Sequence, residues 1–149
     1  MGLLCMPVGV LTGVYVSATA IGNGYQTFLL VAPVAAFLSG VFAWWLIMER
    51  VYRPGIPRAA FAGALAALLG HYLCWYLLFL VNFLQHVLYH VGDSVGGPPV
   101  GPIAALFAAG VYSLFSLLIL GWVTVAAGAI LGAVFGAVQR PAESNAHSL

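Results

Sequence analysis

The side chains most capable of chemistry are concentrated on one stretch of an otherwise apolar sequence, from residue 71 onward. At about 100° of rotation per residue, an α-helix through this stretch places them on one side, with Gln85 at the margin. This polar stripe consists of His71, Trp75, Asn82, Gln85, His86 and Tyr89. Asp93 continues the stripe only if the helix runs past Gly92.

His71 is the strongest single candidate in the stripe. It follows Arg58 by thirteen residues, which is about 20 Å along a helix. A neutral imidazole there can hydrogen-bond to a neighbouring helix, and the expected partners are Tyr112, Ser113, Ser116 or Thr124. Two interpretations remain open: a structural bond between helices, or a group that transfers protons near neutral pH.

His86 and His90 are spaced four residues apart, so a helix presents both imidazoles on one face, with Asp93 three residues further on. Such a pair suits a metal ion, but two histidines do not close a coordination sphere. These three residues are therefore a weak metal candidate. Haem ligation by His71 or His86 is a weaker one, and the sequence predicts no cofactor.

Signatures of catalysis are missing from the sequence. It has no phosphate-binding loop of the G-x-x-x-x-G-K type. The acidic residues Glu49, Asp93 and Glu143 all lie at the ends of apolar blocks, and no serine, histidine and aspartate are spaced for hydrolysis. We therefore expect a protein that is not an enzyme.

The amino-acid composition indicates which solvent surrounds this chain. Of its 149 residues, 64% are hydrophobic and 5% are charged, whereas soluble domains average about 25% charged residues. This small number of charges cannot solvate a water-exposed surface. The sequence therefore predicts an all-α integral membrane protein in a lipid bilayer. A net charge of +1 excludes nucleic acid as a partner, because no basic patch neutralises phosphates.

Turn residues and charges divide the chain into four apolar blocks, and crossing a bilayer takes about 20 helical residues. The sequence thus predicts a bundle of four transmembrane helices at about 3–21, 27–48, 59–90 and 103–138. Residues 1–138 form a single transmembrane domain, and 139–149 form a polar, flexible tail. Because the fourth block is long, a break near Gly121 that gives five crossings is the alternative.

Arginine placement predicts the orientation. Arg50, Arg53 and Arg58 lie in one loop and Arg140 follows the fourth block. The positive-inside rule places loop 49–58 and the C-terminus in the cytoplasm, and four crossings then place the N-terminus there too. We expect the first helix to be retained, although Ala18-Thr19-Ala20 also fits a signal-peptidase site.

Small residues at four-residue spacing mark a smooth face on every helix, and the strongest is Gly128, Gly132 and Gly136, with Gly121 on the same side. Small residues allow close approach of helices in lipid. We expect this glycine face either to pack against another helix of the same chain or to contact a second copy of the chain.

Three functions follow from these features. The first is a non-enzymatic accessory or assembly subunit that acts through helix packing in a homo-oligomer or a larger membrane complex. The second is a small oligomeric permease or channel-like protein whose path is lined by the polar stripe, in particular His71, Asn82 and His86. The third, and weakest, is a metal or haem redox subunit.

Overall fold

A computed structural model describes residues 1–19, 26–49, 55–90, 92 and 98–146, with side chains described as far as Gln139. Within these residues every regular element is helical. The elements are α1 (Gly2–Thr19), α2 (Phe28–Ile47), α3 (Ile56–Tyr89), α4 (Pro102–Ser116), a π-helical turn (Leu117–Gly121) and α5 (Trp122–Ala146).

Four of the described helices are long and apolar enough to span a membrane, which confirms the prediction of an all-α protein with four long apolar helices. They are Gly2–Thr19, Phe28–Ile47, Ile56–Tyr89 and Pro102–Gln139. The last one comprises α4, the π-helical turn and most of α5, so the chain does not reverse at Gly121, and the break on which the five-crossing alternative depends is absent from this helix. The backbone of α5 stays helical to Ala146, beyond the predicted end at residue 138.

Prolines and a left-handed residue set the limits of the longest helices. Pro57 and Pro102 occupy the first turns of α3 and α4, where the missing N–H is not needed. His90 ends α3 in the left-handed conformation, with φ 55°, and its backbone N–H donates to the carbonyl of His86 at 2.9 Å. The helical face that carries the polar stripe therefore ends at Tyr89.

α1 lies against α2 with glycines at the contact. A Cβ on Gly9 would lie 2.7 Å from the carbonyl oxygen of Ala32, and one on Gly13 would lie 2.9 Å from that of Phe28. Real side chains do not approach so closely, so only glycine permits this backbone separation. The short distance between the backbones of α1 and α2 therefore depends on glycine at these two positions.

α5 lies against α3 in the same manner. A Cβ on Gly63 would collide with the carbonyl oxygen of Gly128, and one on Gly132 with that of Ala59. A Cβ on Gly136 would lie 2.5 Å from the Cβ of Ala59. Close approach through small residues is typical of helix pairs in membrane proteins.

α2 and α3 join the two glycine-packed pairs. Met48, Ala59 and Ala62 form a buried cluster at one end of the bundle, and Phe28 packs on Trp75 towards the other, with ring centroids 5.3 Å apart. The start of α1, the end of α2 and the start of α3 thus lie at one end. The Gly136 region of α5 lies there as well.

Candidate functional site

His71 is the centre of the interior polar network. It lies in the middle of α3, and only 8% of its surface is exposed. Its Nδ1 lies 2.7 Å from Oγ of Ser116, and its Nε2 lies 2.7 Å from Oγ1 of Thr124. One imidazole therefore connects α3 to both sides of the π-helical turn.

The hydrogen bonds of Thr124 define the direction of this network. Its hydroxyl donates to the carbonyl oxygens of Leu120 at 3.1 Å and Gly121 at 3.3 Å. On this basis we assign the imidazole proton to Nε2: Oγ1 of Thr124 then accepts from Nε2–H of His71, and Nδ1 accepts from the hydroxyl of Ser116. The order of donation is Ser116 to His71, His71 to Thr124, and Thr124 to the helix backbone.

The π-helical turn brings the two hydroxyls onto one face. Ser116 and Thr124 are eight residues apart, and in an uninterrupted α-helix they would point about 80° away from each other. A π-turn closes hydrogen bonds over five residues instead of four, which absorbs one residue. The effective separation becomes seven residues, or about 20°, so both hydroxyls point at α3.

A cavity of about 130 Å³ lies beside His71. Its wall comes from α1, α2, α3, the end of α4, the π-helical turn and α5, and most of the side chains in it are small or aliphatic. The polar wall groups beside His71, Ser116 and Thr124 are Thr12 and Ser39, and the free thiols of Cys5 and Cys74 also line it.

A cluster of aromatic side chains lies at the end of the cavity nearest Phe28. The indole of Trp75 packs on Phe28 of α2 and on Tyr112 of α4, whose ring centroid is 4.9 Å away. Phe79 completes the cluster, 5.5 Å from Tyr112. Aromatic side chains of α2, α4 and its own helix α3 therefore fix the position of Trp75, a member of the predicted stripe.

The structure separates the polar stripe into two parts. His71 and Trp75 face the cavity, whereas the cavity wall includes none of the other four members. Asn82 and His86 are half-buried, and Gln85 and Tyr89 are exposed. The stripe is a continuous line along α3, but only its first two members line the cavity.

The weak metal candidates are not assembled into a site by the described part of the chain. His90 is exposed and His86 is half-buried, and no three described His, Cys, Asp or Glu side chains are grouped closely enough to hold an ion. Asp93 lies outside the described residues.

The glycine face divides in a similar way. Gly128, Gly132 and Gly136 face α3 of the same chain, so they act in packing within the chain. For Gly121 the atoms nearest to a new Cβ belong to the side chain of Leu117, 2.9 Å away, in its own helix. The contact of Gly121 is thus within its own helix, and its place on the predicted face stays a prediction.

Sequence reasoning named Ser116 and Thr124 among four potential partners of His71, but it had no means of pairing them. It also missed Thr12 and Ser39. Both donate their hydroxyls to carbonyls of their own helices, Val8 at 2.8 Å and Ala36 at 3.2 Å. The sequence does not indicate which side of an apolar helix a single serine or threonine hydroxyl faces.

The fold and this interior site define an all-helical protein with four helices of membrane-spanning length and apolar character, suggestive of a multi-pass membrane protein. Comparison of the chain with protein-family models, with curated proteins and with solved structures finds no match.

Proposed function

We propose that this chain crosses the bilayer four times, with loop 49–58 and both chain ends in the cytoplasm. Two observations support this orientation. Arg58 lies in the first turn of α3, at the same end of the bundle as the Gly136 region of α5, and the backbone position of Arg140 is one turn further on. Cations gathered at one end match the positive-inside rule. Arg50 and Arg53 lie outside the described residues.

The role proposed for the bundle is that of a non-enzymatic accessory or assembly subunit that acts through its helix faces. The observation that carries this proposal is the closed hydrogen bonding of His71. Both ring nitrogens are engaged by Ser116 and Thr124, so the imidazole has no free position for a substrate. The hydroxyl of Thr124 is in turn committed to backbone carbonyls.

The outer face of α4, the π-helical turn and α5 is the surface available for assembly. The glycine faces are occupied within the chain, whereas Phe107, Phe115, Leu118 and Trp122 are exposed. Aromatic and aliphatic side chains of this size are typical of the contact surfaces of membrane subunits as well as of lipid-facing surfaces. A partner helix bound here would leave the interior unchanged.

Cysteine labelling in sealed vesicles of known sidedness tests the orientation. In a background with Cys5→Ala and Cys74→Ala, an impermeant maleimide should label Val100→Cys from the extracytoplasmic side. Gln139→Cys should be labelled only from the cytoplasmic side. Labelling of both positions from one side would contradict the four-crossing orientation.

Photo-crosslinking tests the assembly role. A benzophenone amino acid at Phe115, on the proposed face, should give one discrete protein adduct in native membranes. The same probe at Leu11, an exposed position of α1, should give lipid adducts only. Equal patterns at the two positions would contradict an assembly surface on α4.

The permease alternative is favoured by one observation, the presence of His71 in the wall of a cavity. A proton-flux assay in liposomes separates the two functions. The accessory role predicts that wild-type protein and His71→Ala conduct no more than protein-free liposomes. A flux that wild-type protein carries and His71→Ala abolishes would replace the accessory role with transport.

A further inference from the structure

We propose that the cavity beside His71 is a binding site for one hydrocarbon chain of a bilayer lipid, which enters sideways between α1 and α5. The proposal rests on the membrane insertion put forward above, and on the shape, composition and hydrogen bonding of the cavity wall.

The cavity is elongated along the helices. On α1 its wall runs from Cys5 to Val16, about 16 Å of helix. Much of the wall is glycine and alanine, including Gly9 and Ala36 on one side and Ala67 and Gly70 on the other. A long, narrow, smooth void matches a flexible methylene chain better than a compact solute.

The polar groups of the wall do not favour water as the occupant. A buried water needs two to four hydrogen-bond partners. The hydroxyls of Thr12, Ser39 and Thr124 already donate to carbonyls, and both nitrogens of His71 are engaged. Apart from the indole N–H of Trp75, only acceptor lone pairs and weak thiol donors are left, and they are dispersed over an apolar surface.

An unfilled void is also unfavourable, because the atoms that line it lose their dispersion contacts. Apolar cavities of about 150 Å³ bind apolar molecules when such molecules are present, and this one has a volume of about 130 Å³. In a bilayer the most abundant apolar molecule is the acyl chain, so it is the expected occupant.

The helix packing locates the entrance. The cavity is partly open, and α1 and α5 supply two of its walls. Among the described glycines, those of α1 contact α2, and those of α5 from Gly128 onward contact α3, with no such contact between α1 and α5. Thr12, Val16 and Leu120 line the cavity from α1 and the π-helical turn and are only half-buried, so we place the entrance for a chain beside these three residues.

Trp75 is a natural reporter because its indole lines the cavity. Single-tryptophan proteins that retain either Trp75 or Trp122 would be made by changing the other three tryptophans to Phe. They would be reconstituted in phosphatidylcholine vesicles with bromine atoms on the acyl chain, since bromine quenches indole fluorescence on contact. Trp122 is exposed on the outer face and reports insertion alone.

The matched variants are Val16→Phe and Val14→Phe. Val16 lines the cavity near Trp75, whereas Val14 is exposed elsewhere on α1, so the same change fills the void in one protein only. We expect brominated chains to quench both Trp75 and Trp122. Val16→Phe should restore the emission of Trp75 without changing that of Trp122, and Val14→Phe should restore neither.

The outcomes separate the two proposals. Quenching of Trp122 with an unquenched Trp75 would overturn the lipid site while leaving membrane insertion intact, and a red-shifted Trp75 emission would then assign the void to water. Quenching of Trp75 that persists unchanged in Val16→Phe would mean that bromine reaches the indole from outside, which also overturns the site. Absence of quenching at both tryptophans would overturn insertion and the site together.

Discussion

Ser116 and Thr124 are eight residues apart on one helix, yet their hydroxyls lie 2.7 Å from opposite nitrogens of the same imidazole. The π-helical turn between them makes this arrangement possible, because it brings both hydroxyls to the side that faces α3. Four predictions follow from this relationship and from the glycine contacts around it.

The tautomer of His71 is the first prediction. Because Thr124 donates its proton to the carbonyls of Leu120 and Gly121, His71 should carry its proton on Nε2. Nitrogen-15 NMR of histidine-labelled protein in nanodiscs distinguishes the two tautomers by the shifts of the ring nitrogens. In Thr124→Val the preference for Nε2–H should weaken. A resonance pattern of Nδ1–H in the wild-type protein would contradict the donation order.

The second prediction concerns the strength of the interhelical bond. Ser116→Ala should reduce the free energy of unfolding by about 0.6 kcal/mol, the mean for hydrogen bonds between helices in membranes, and by no more than their maximum of about 1.7 kcal/mol. Ser113→Ala is the control, because the hydroxyl of Ser113 donates only to Gly110 in its own helix, at 2.9 Å. Unfolding by steric trapping in bicelles gives both values. Equal losses in the two variants would show that Ser116 adds nothing through His71.

The third prediction concerns the glycine contacts between α3 and α5. Gly132→Ala should destabilise the bundle by about 1–3 kcal/mol, the usual range for overpacking, because the new methyl group would meet the carbonyl oxygen of Ala59. Gly110→Ala is the matched change in α4, where the nearest atom to a new Cβ is the ring of Tyr72 at 4.0 Å. The same unfolding assay should leave Gly110→Ala near wild type. Tolerance of both would contradict close packing at Gly132.

The fourth prediction uses the extra residue of the π-helical turn. Deletion of Leu118, whose side chain is exposed, should convert the turn to ordinary α-helix and keep Ser116 and Thr124 on one face. Deletion of Ile130, also exposed, should instead rotate Gly132 and Gly136 by about 100° away from α3.

Size-exclusion profiles of fluorescent fusions after heating compare the two deletions. The protein lacking Leu118 should remain monodisperse at temperatures where the one lacking Ile130 aggregates. The opposite ranking would mean that the π-helical turn is needed for folding in its present form.

Much of the fold was predictable because lipid-spanning helices are defined by local properties. Runs of apolar residues between turn residues predicted all four long helices, although α3 begins at Ile56, three residues before the predicted start at residue 59. The polar stripe was a weaker prediction. Periodicity placed its six members on one side of α3, but it could not tell which part of that side would be covered by other helices.

The sequence by itself determined the helical, apolar character of this protein, the four long helices and the isolated position of His71 in the interior of α3. Only the tertiary structure decided that Ser116 and Thr124 meet His71 together and that a cavity lies beside them. The physical reason is that a π-turn shifts every later residue by about one helical position without any change in composition. Which hydroxyl faces which ring then depends on packing across helices that are distant in sequence.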